Sequence, residues 1–188
     1  MAHRTFLALD LDEAIRDRIV AAQRQMDCGA VKLKWVEPEN LHVTLKFLGD
    51  VEDALLHEVL DLTAAAAAGV EAFEFDVRGV LAVPPQGRLR MLWVGVQDLA
   101  GRMAALYRGL DQAMAALPIH QEERGFRPHV TLARIKFAAN PAPLRRSVGQ
   151  FADEDFGVQH AEEVVAYTSE LTQDGPVYTP MARAPLGR

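Results

Sequence analysis

One repeated tetrapeptide constrains this chain more than any other feature. His-Val-Thr-Leu occurs at residues 42–45 and again at 129–132, 87 positions apart in a chain of 188. The first copy stands in PENLHVTLKFLG and the second in FRPHVTLARIKF; each follows a proline closely and runs on into apolar, strand-like sequence. Side chains in a strand alternate between faces. His42 and Thr44 therefore point one way and Val43 and Leu45 the other; the same holds for His129 and Thr131 against Val130 and Leu132. Any fold that accepts this pattern must bury one face of two comparable strands. It must also leave an imidazole and a hydroxyl on the opposite face of each. Placed side by side or across a cleft, the two strands gather two imidazoles and two hydroxyls around one point.

The rest of the chain limits how those strands are housed. With 49% apolar and 24% charged residues, it has enough apolar sequence for a sizeable core, as one domain or two lobes sharing a core. The net charge of −6 argues against a surface that attracts nucleic acid as a whole. From Arg124 to Lys136, however, there are four basic residues (Arg124, Arg127, Arg134, Lys136) and no acidic one. That run is either a solvated face or a local anion site beside the second HVTL. Cys28 is the only cysteine, which suits a reducing compartment and a small packing role. Asp10, Asp12 and Glu13 interrupt the N-terminal apolar stretch too early for a signal peptide. No apolar run approaches the roughly 20 residues needed to span a bilayer. The expectation is a soluble, cytoplasmic monomer with no membrane partner.

Periodicity predicts an α+β chain. RTFLALDL reads as a strand. Ile15, Ile19, Ala22 and Met26 mark a helix with Asp12 as N-cap and Gly29 as its left-handed stop. Val31, Leu33 and Trp35 alternate as a short strand before the first HVTL strand. A second helix covers Glu52–Ala68, its alanine-rich tail suited to close packing. Phe73, Phe75 and Val77 open a strand that pairs with RLRMLWVGV as a hairpin. Leu99 to Leu117 trace a third helix stopped by Pro118. The second HVTL strand follows and runs to Phe137. Residues 138–160 read as less regular, with a short helix near Leu144–Phe151. The end reads as a hairpin turning at Asp174-Gly175.

The paired face suits a phosphate ester. A neutral imidazole takes a proton from water and a protonated one gives a proton to the leaving oxygen; an unperturbed pKa of about 6.5 permits both near neutral pH. The hydroxyls of Thr44 and Thr131 can donate to non-bridging phosphate oxygens. A 2′,3′-cyclic phosphate fits so small a set, because its ring is strained and its leaving group pre-placed. One histidine in a strand is ordinarily structural; two identical His-x-Thr copies shift the reading to chemistry. His3, His57, His120 and His160 lack such a context and are read as surface or packing residues. A zinc site is the chemical rival, but a catalytic zinc usually has three protein ligands. The chain has no HExxH, no cysteine pair and no carboxylate at a matching spacing. Glycine-rich phosphate loops are absent too, and Ser147 and Ser169 lack a nucleophile-elbow context. No metal or other cofactor is expected.

Paired HxTx motifs at this separation resemble the two-histidine phosphoesterase superfamily. Within it, PENLHVTLKFLG and FRPHVTLAR resemble the RNA 2′,3′-cyclic phosphodiesterases, also described as 2′-5′ RNA ligases. RTFLALDL and the late SEL…DGPVY (Ser169–Tyr178) match that family's ends, so the resemblance spans the chain. It implies a bilobal α+β fold over residues 1–188, a single domain of two pseudo-symmetric lobes, each giving one HxTx. Two antiparallel sheets would face a central cleft, with helices outside. It also implies metal-independent hydrolysis of a terminal RNA or nucleoside 2′,3′-cyclic phosphate to a 2′-phosphate. His42 would be the proton donor, His129 the base, and Thr44 and Thr131 would hold the phosphate. Arg134 also matches the pattern and would supply charge near the phosphate. Strict alternation places it opposite His129, so a bulge is required; Lys46, on the face of His42, is a weaker candidate. Phe6, Phe47 and Trp35 are expected in the core or stacked on a base. The alternatives are 2′-5′ RNA ligation at the same site, or a non-catalytic module binding nucleotides or RNA ends.

Overall fold

Among the described residues the chain folds as nine strands and four helices. The computed structural model describes residues 1–26, 28–29, 31–121, 125–173 and 175–188. Arg124 of the basic run and Asp174 of the expected turn lie outside the described residues. In chain order the elements are β1 (Ala2–Asp10), α1 (Glu13–Gln25), β2 (Val31–Trp35), a 3₁₀ turn (Pro38–Asn40), β3 (His42–Glu52) and α2 (Asp53–Ala68). Then come β4 (Phe73–Val83), β5 (Met91–Gln97), α3 (Arg102–Ala113), β6 (His129–Ala138), α4 (Ala142–Gln150), β7 (Asp155–Ala161), β8 (Glu163–Leu171) and β9 (Pro176–Pro185).

The strands form one antiparallel sheet in the order β7-β4-β5-β6-β3-β1-β8-β9, with β2 paired to the far end of β6. The two expected sheets are thus two halves of one curled sheet. They meet at the two HVTL strands, through the single register pair Val43–Val130. Val43, Leu45, Val130 and Leu132 are at most 1% exposed. Burying each such side chain contributes on the order of 1.5–3 kcal/mol, so the apolar half of the repeat fixes which face its polar half presents.

Helices cover the apolar faces. Val59, Thr63 and Ala67 line the buried stripe of α2, which packs on α3 and β9. A Cβ at Gly109 would lie 3.9 Å from the Ala66 Cβ, the close approach that the alanine tail permits. α1 lies against β7 and α4 against β4.

Several local expectations are corrected. Asp12 stands at the α1 N-cap, yet its side chain makes no capping bond; its backbone N–H donates to Gln159 Oε1 at 2.6 Å instead. The helix ends at Met26, and the positive φ of Gly29 (50°) serves the turn into β2. α3 is shorter than its apolar period. Asp98 sets its start by accepting from the Met103 N–H at 2.6 Å, and its last turn loosens before Pro118. The periodicity does not predict β7. It is a short edge strand whose Gly157 adopts φ 119°, a break that hides its alternation.

Candidate active site

Both histidines are set by the same local device. The His42 Nδ1–H donates to the Asn40 carbonyl at 2.8 Å and the His129 Nδ1–H to the Arg127 carbonyl at 2.7 Å, each two residues upstream. A carbonyl only accepts, so Nδ1 carries the proton and Nε2 is left as the basic nitrogen in each ring. The chain enters these carbonyls through the 3₁₀ turn that starts at Pro38 and through Pro128. Asn40 is itself anchored, its side-chain amide donating to the Pro176 carbonyl at 3.1 Å. The Thr44 hydroxyl lies 2.9 Å from His42 Nε2 and donates to it in the free protein.

The register brings the two motifs together. Around the antiparallel pair Val43–Val130, His42 falls beside Thr131 and Thr44 beside His129 on the opposite face. His42, Thr44, Thr131 and Arg134 line one cleft of about 890 Å³. His129 stands at its edge, stacked on Trp93 with ring centroids 3.7 Å apart. It is near enough for its charge to act on His42.

A matched pair of bulges accounts for Arg134. Opposite β5, Thr131 pairs with Trp93 and Ala133 with Leu92, so Leu132 is an extra residue. Opposite β1, Thr44 pairs with Ala8 and Lys46 with Leu7, so Leu45 is extra at the equivalent place. Each bulge reverses the alternation beyond it. The residue-by-residue burial from His42 to Phe47 is the same as that from His129 to Arg134. Arg134 thereby returns to the face of Thr131, with Phe47 at the equivalent place in the other half, 44% exposed along the cleft. The same bulge overturns the expectation for Lys46. It is turned into the core, fully buried, with its ammonium 2.5 Å from Asp111 Oδ1 on α3.

Electrostatically the two halves differ. Burial lowers the His42 pKa to about 4, because removing the imidazolium from water is costly. The Asn40 carbonyl and the Asp10 carboxylate work against the drop, and the charges of His129 and Arg134 add to it. Asp10 is the register partner of His42 on β1 and accepts from the Tyr167 hydroxyl at 2.7 Å. Phe6 stacks on both His42 (4.9 Å) and Tyr167 (5.3 Å), which are 6.5 Å from each other, with Tyr178 edge-on to Phe6 at 4.9 Å. Burial raises the pKa of Tyr178, and burial followed by the Asp10 contact raises that of Tyr167. Trp93 backs the other imidazole; among the described residues its buried Nε1–H meets no acceptor, a cost of about 1–3 kcal/mol.

Sequence reasoning does not single out Asp10, Trp93, Tyr167 or Tyr178. They come from strands that only tertiary pairing brings alongside the motifs. His120, read as surface or packing, lines the cleft, its backbone N–H donating to the Leu48 carbonyl. Phe6 is 3% exposed behind His42, and Trp35 borders the opening. The cleft carries both charge signs, with Arg4, Lys34 and Arg134 against Glu37, Glu39 and Asp50. Among the described residues, no cluster of three or more His, Cys, Asp or Glu side chains is arranged to hold a metal ion.

The chain is similar to known proteins over nearly its whole length. The model of the family described as LigT like phosphoesterase matches residues 9–93 and again 94–178, one HxTx copy in each match. A Methanothermobacter thermautotrophicus protein named RNA 2′,3′-cyclic phosphodiesterase is 36% identical over 181 residues, 96% of this chain and 97% of that one. A Methanocaldococcus jannaschii protein of the same name is 32% identical over 93% of this chain and 96% of its own. Among solved structures, a Thermus thermophilus protein superposes with a TM-score of 0.82 at 29% identity, covering 97% of both chains. Escherichia coli LigT complexed with 3′-AMP shares the fold, with a TM-score of 0.80 at 24% identity over the full length of both. With matches of this extent in both halves, the chain belongs to the LigT-like phosphoesterase family.

Proposed function

We propose that the cleft hydrolyses the terminal 2′,3′-cyclic phosphate of RNA, or of a nucleoside, to a 2′-phosphate. The observation that carries this reading is the pair of imidazoles on adjoining strands, each with Nδ1 tied to a backbone carbonyl and Nε2 left to exchange a proton. The names of the relatives, RNA 2′,3′-cyclic phosphodiesterase, support it.

In the reaction, water attacks phosphorus in line with the 3′ oxygen. His129 Nε2 takes the water proton as the new P–O bond forms. His42 Nε2–H gives its proton to the 3′ oxygen as the P–O3′ bond breaks. Thr44 and Thr131 donate to the non-bridging oxygens, and the Arg134 guanidinium balances the charge that grows on them. His42 is neutral in the free protein near pH 7. The anionic phosphate must therefore raise its pKa on binding and draw the Thr44 hydroxyl away from Nε2. Substrate charge thus arms its own acid, and the buried imidazole then parts readily with the proton.

Two pseudo-symmetric lobes, each contributing one HxTx, form a single domain in this reading, supported by the double match of the family model. The partners are RNA ends bearing a cyclic phosphate, or small cyclic nucleotides, met by a cytoplasmic monomer. No described helix is long and apolar enough to cross a membrane. The test is kinetic. His42→Ala and His129→Ala should each lower kcat/KM on a nucleoside 2′,3′-cyclic phosphate by about 10²–10⁴-fold while circular dichroism stays native. Full turnover in either variant removes that histidine from the mechanism.

A further inference from the structure

We propose that Arg88 and Arg90 form a second phosphate site, beside the catalytic cleft, for the RNA backbone next to the cyclic end. The inference rests on the function proposed above and extends it from a mononucleotide to an RNA strand. A groove of about 390 Å³ is lined by Val83, Pro84, Arg88, Arg90, Met91 and Trp93. Trp93 and Met91 join it to the cleft. The Trp93 indole stacks on His129, and the Arg134 guanidinium lies 4.0 Å from the Met91 sulfur.

The two arginines flank a buried anchor in the segment that leads into β5. Leu89 between them is 3% exposed and anchors in the core, while Arg88 and Arg90 are both exposed. Neither forms an ion pair among the described residues. The main cleft carries acids as well as bases, whereas the groove is lined by cations and apolar groups alone. The loop that presents Arg88 is also held in place. The Arg145 guanidinium donates to the carbonyls of Pro85 (2.7 Å), Gly87 (3.1 Å) and Pro84 (3.2 Å). A loop held this firmly loses little freedom when it meets a ligand.

Guanidiniums that form no ion pair among the described residues match an internucleotide phosphodiester, whose single negative charge is shared by two non-bridging oxygens. With an overall charge of −6, the protein does not draw RNA in from a distance, so short-range contacts of this kind must position the strand.

The experiment compares wild type with R88A/R90A on two substrates, a mononucleoside 2′,3′-cyclic phosphate and an oligoribonucleotide ending in one. The double variant is expected to lose about tenfold in kcat/KM on the oligonucleotide and to keep the wild-type value on the mononucleoside. Fluorescence anisotropy with the same RNA ending in a 3′-phosphate reads binding without turnover. There the variant should bind about tenfold more weakly, with a salt slope shallower by roughly 0.7 for each phosphate that is no longer neutralised. Equal losses on both substrates, or no change in either kinetics or binding on the oligonucleotide, overturns the proposal. If wild type hydrolyses neither substrate, the proposed function fails, and the anisotropy comparison still decides whether Arg88 and Arg90 hold RNA.

Discussion

The depressed pKa of His42 makes a prediction about stability that needs no substrate. An imidazole titrating near 6.5 in the unfolded chain and at about 4 in the fold is held neutral by burial. Between those values the unfolded state binds more protons than the native one, so stability rises with pH across this window. The contribution is complete above about pH 6.5 and is lost as pH falls to about 4. A shift of this size corresponds to about 3 kcal/mol over the whole window, and to about 2.5 kcal/mol between pH 7 and 4.5, at 1.36 kcal/mol per unit. The perturbation is His42→Asn, which removes the titrating group and keeps a polar side chain. Urea unfolding of both proteins at pH 7 and 4.5 isolates the term, because every other titrating group is common to the two. Wild type should lose about 2.5 kcal/mol more than the variant on acidification. Parallel losses would mean that His42 is not desolvated, and the idea that substrate charge arms it would fall. Inorganic phosphate near His42 should act in the opposite sense and bind more tightly as pH falls from 7 to 5, measurable by calorimetry.

Two further outcomes follow from the bulges. Arg134→Ala should lower kcat/KM on a cyclic phosphate by roughly 10–100-fold, the worth of a charged hydrogen bond to phosphate, with Arg134→Lys recovering part of it; an unchanged value would place the guanidinium outside the reaction. Asp111→Ala leaves the buried Lys46 ammonium without its carboxylate and should destabilise by about 3 kcal/mol, whereas Lys46→Met, which removes the charge and keeps the volume, should cost far less. Thermal unfolding compares the two, and equal losses would show that the ion pair itself, not the stranded charge, carries the stability.

The repeat makes much of this legible, because a period of two states which face each residue takes. His42, Thr44, Thr131 and Arg134 stand on one cleft, as the alternation and the required bulge imply. The helices emerge from their apolar stripes at Ile15–Ile19, Val59–Thr63 and Met103–Leu106–Leu110. What stays hidden depends on pairing between distant segments. Nothing near Leu45 in sequence announces the bulge opposite β1, so alternation alone puts Lys46 on the wrong face. Asp10 and Trp93 reach the histidines only through strand register. The joining of the two halves into one sheet rests on a single pair, Val43–Val130, which no local propensity encodes.

The product of the reaction identifies which oxygen leaves and whether a metal takes part. Purified protein is incubated with a nucleoside 2′,3′-cyclic phosphate in the presence of EDTA, and the product is separated against 2′- and 3′-phosphate standards. The expected product is the 2′-phosphate, formed at a rate that the chelator leaves unchanged. A 3′-phosphate would contradict the direction of proton transfer assigned to His42 and His129, and activity that appears only when a divalent ion is restored would contradict the two-histidine mechanism itself.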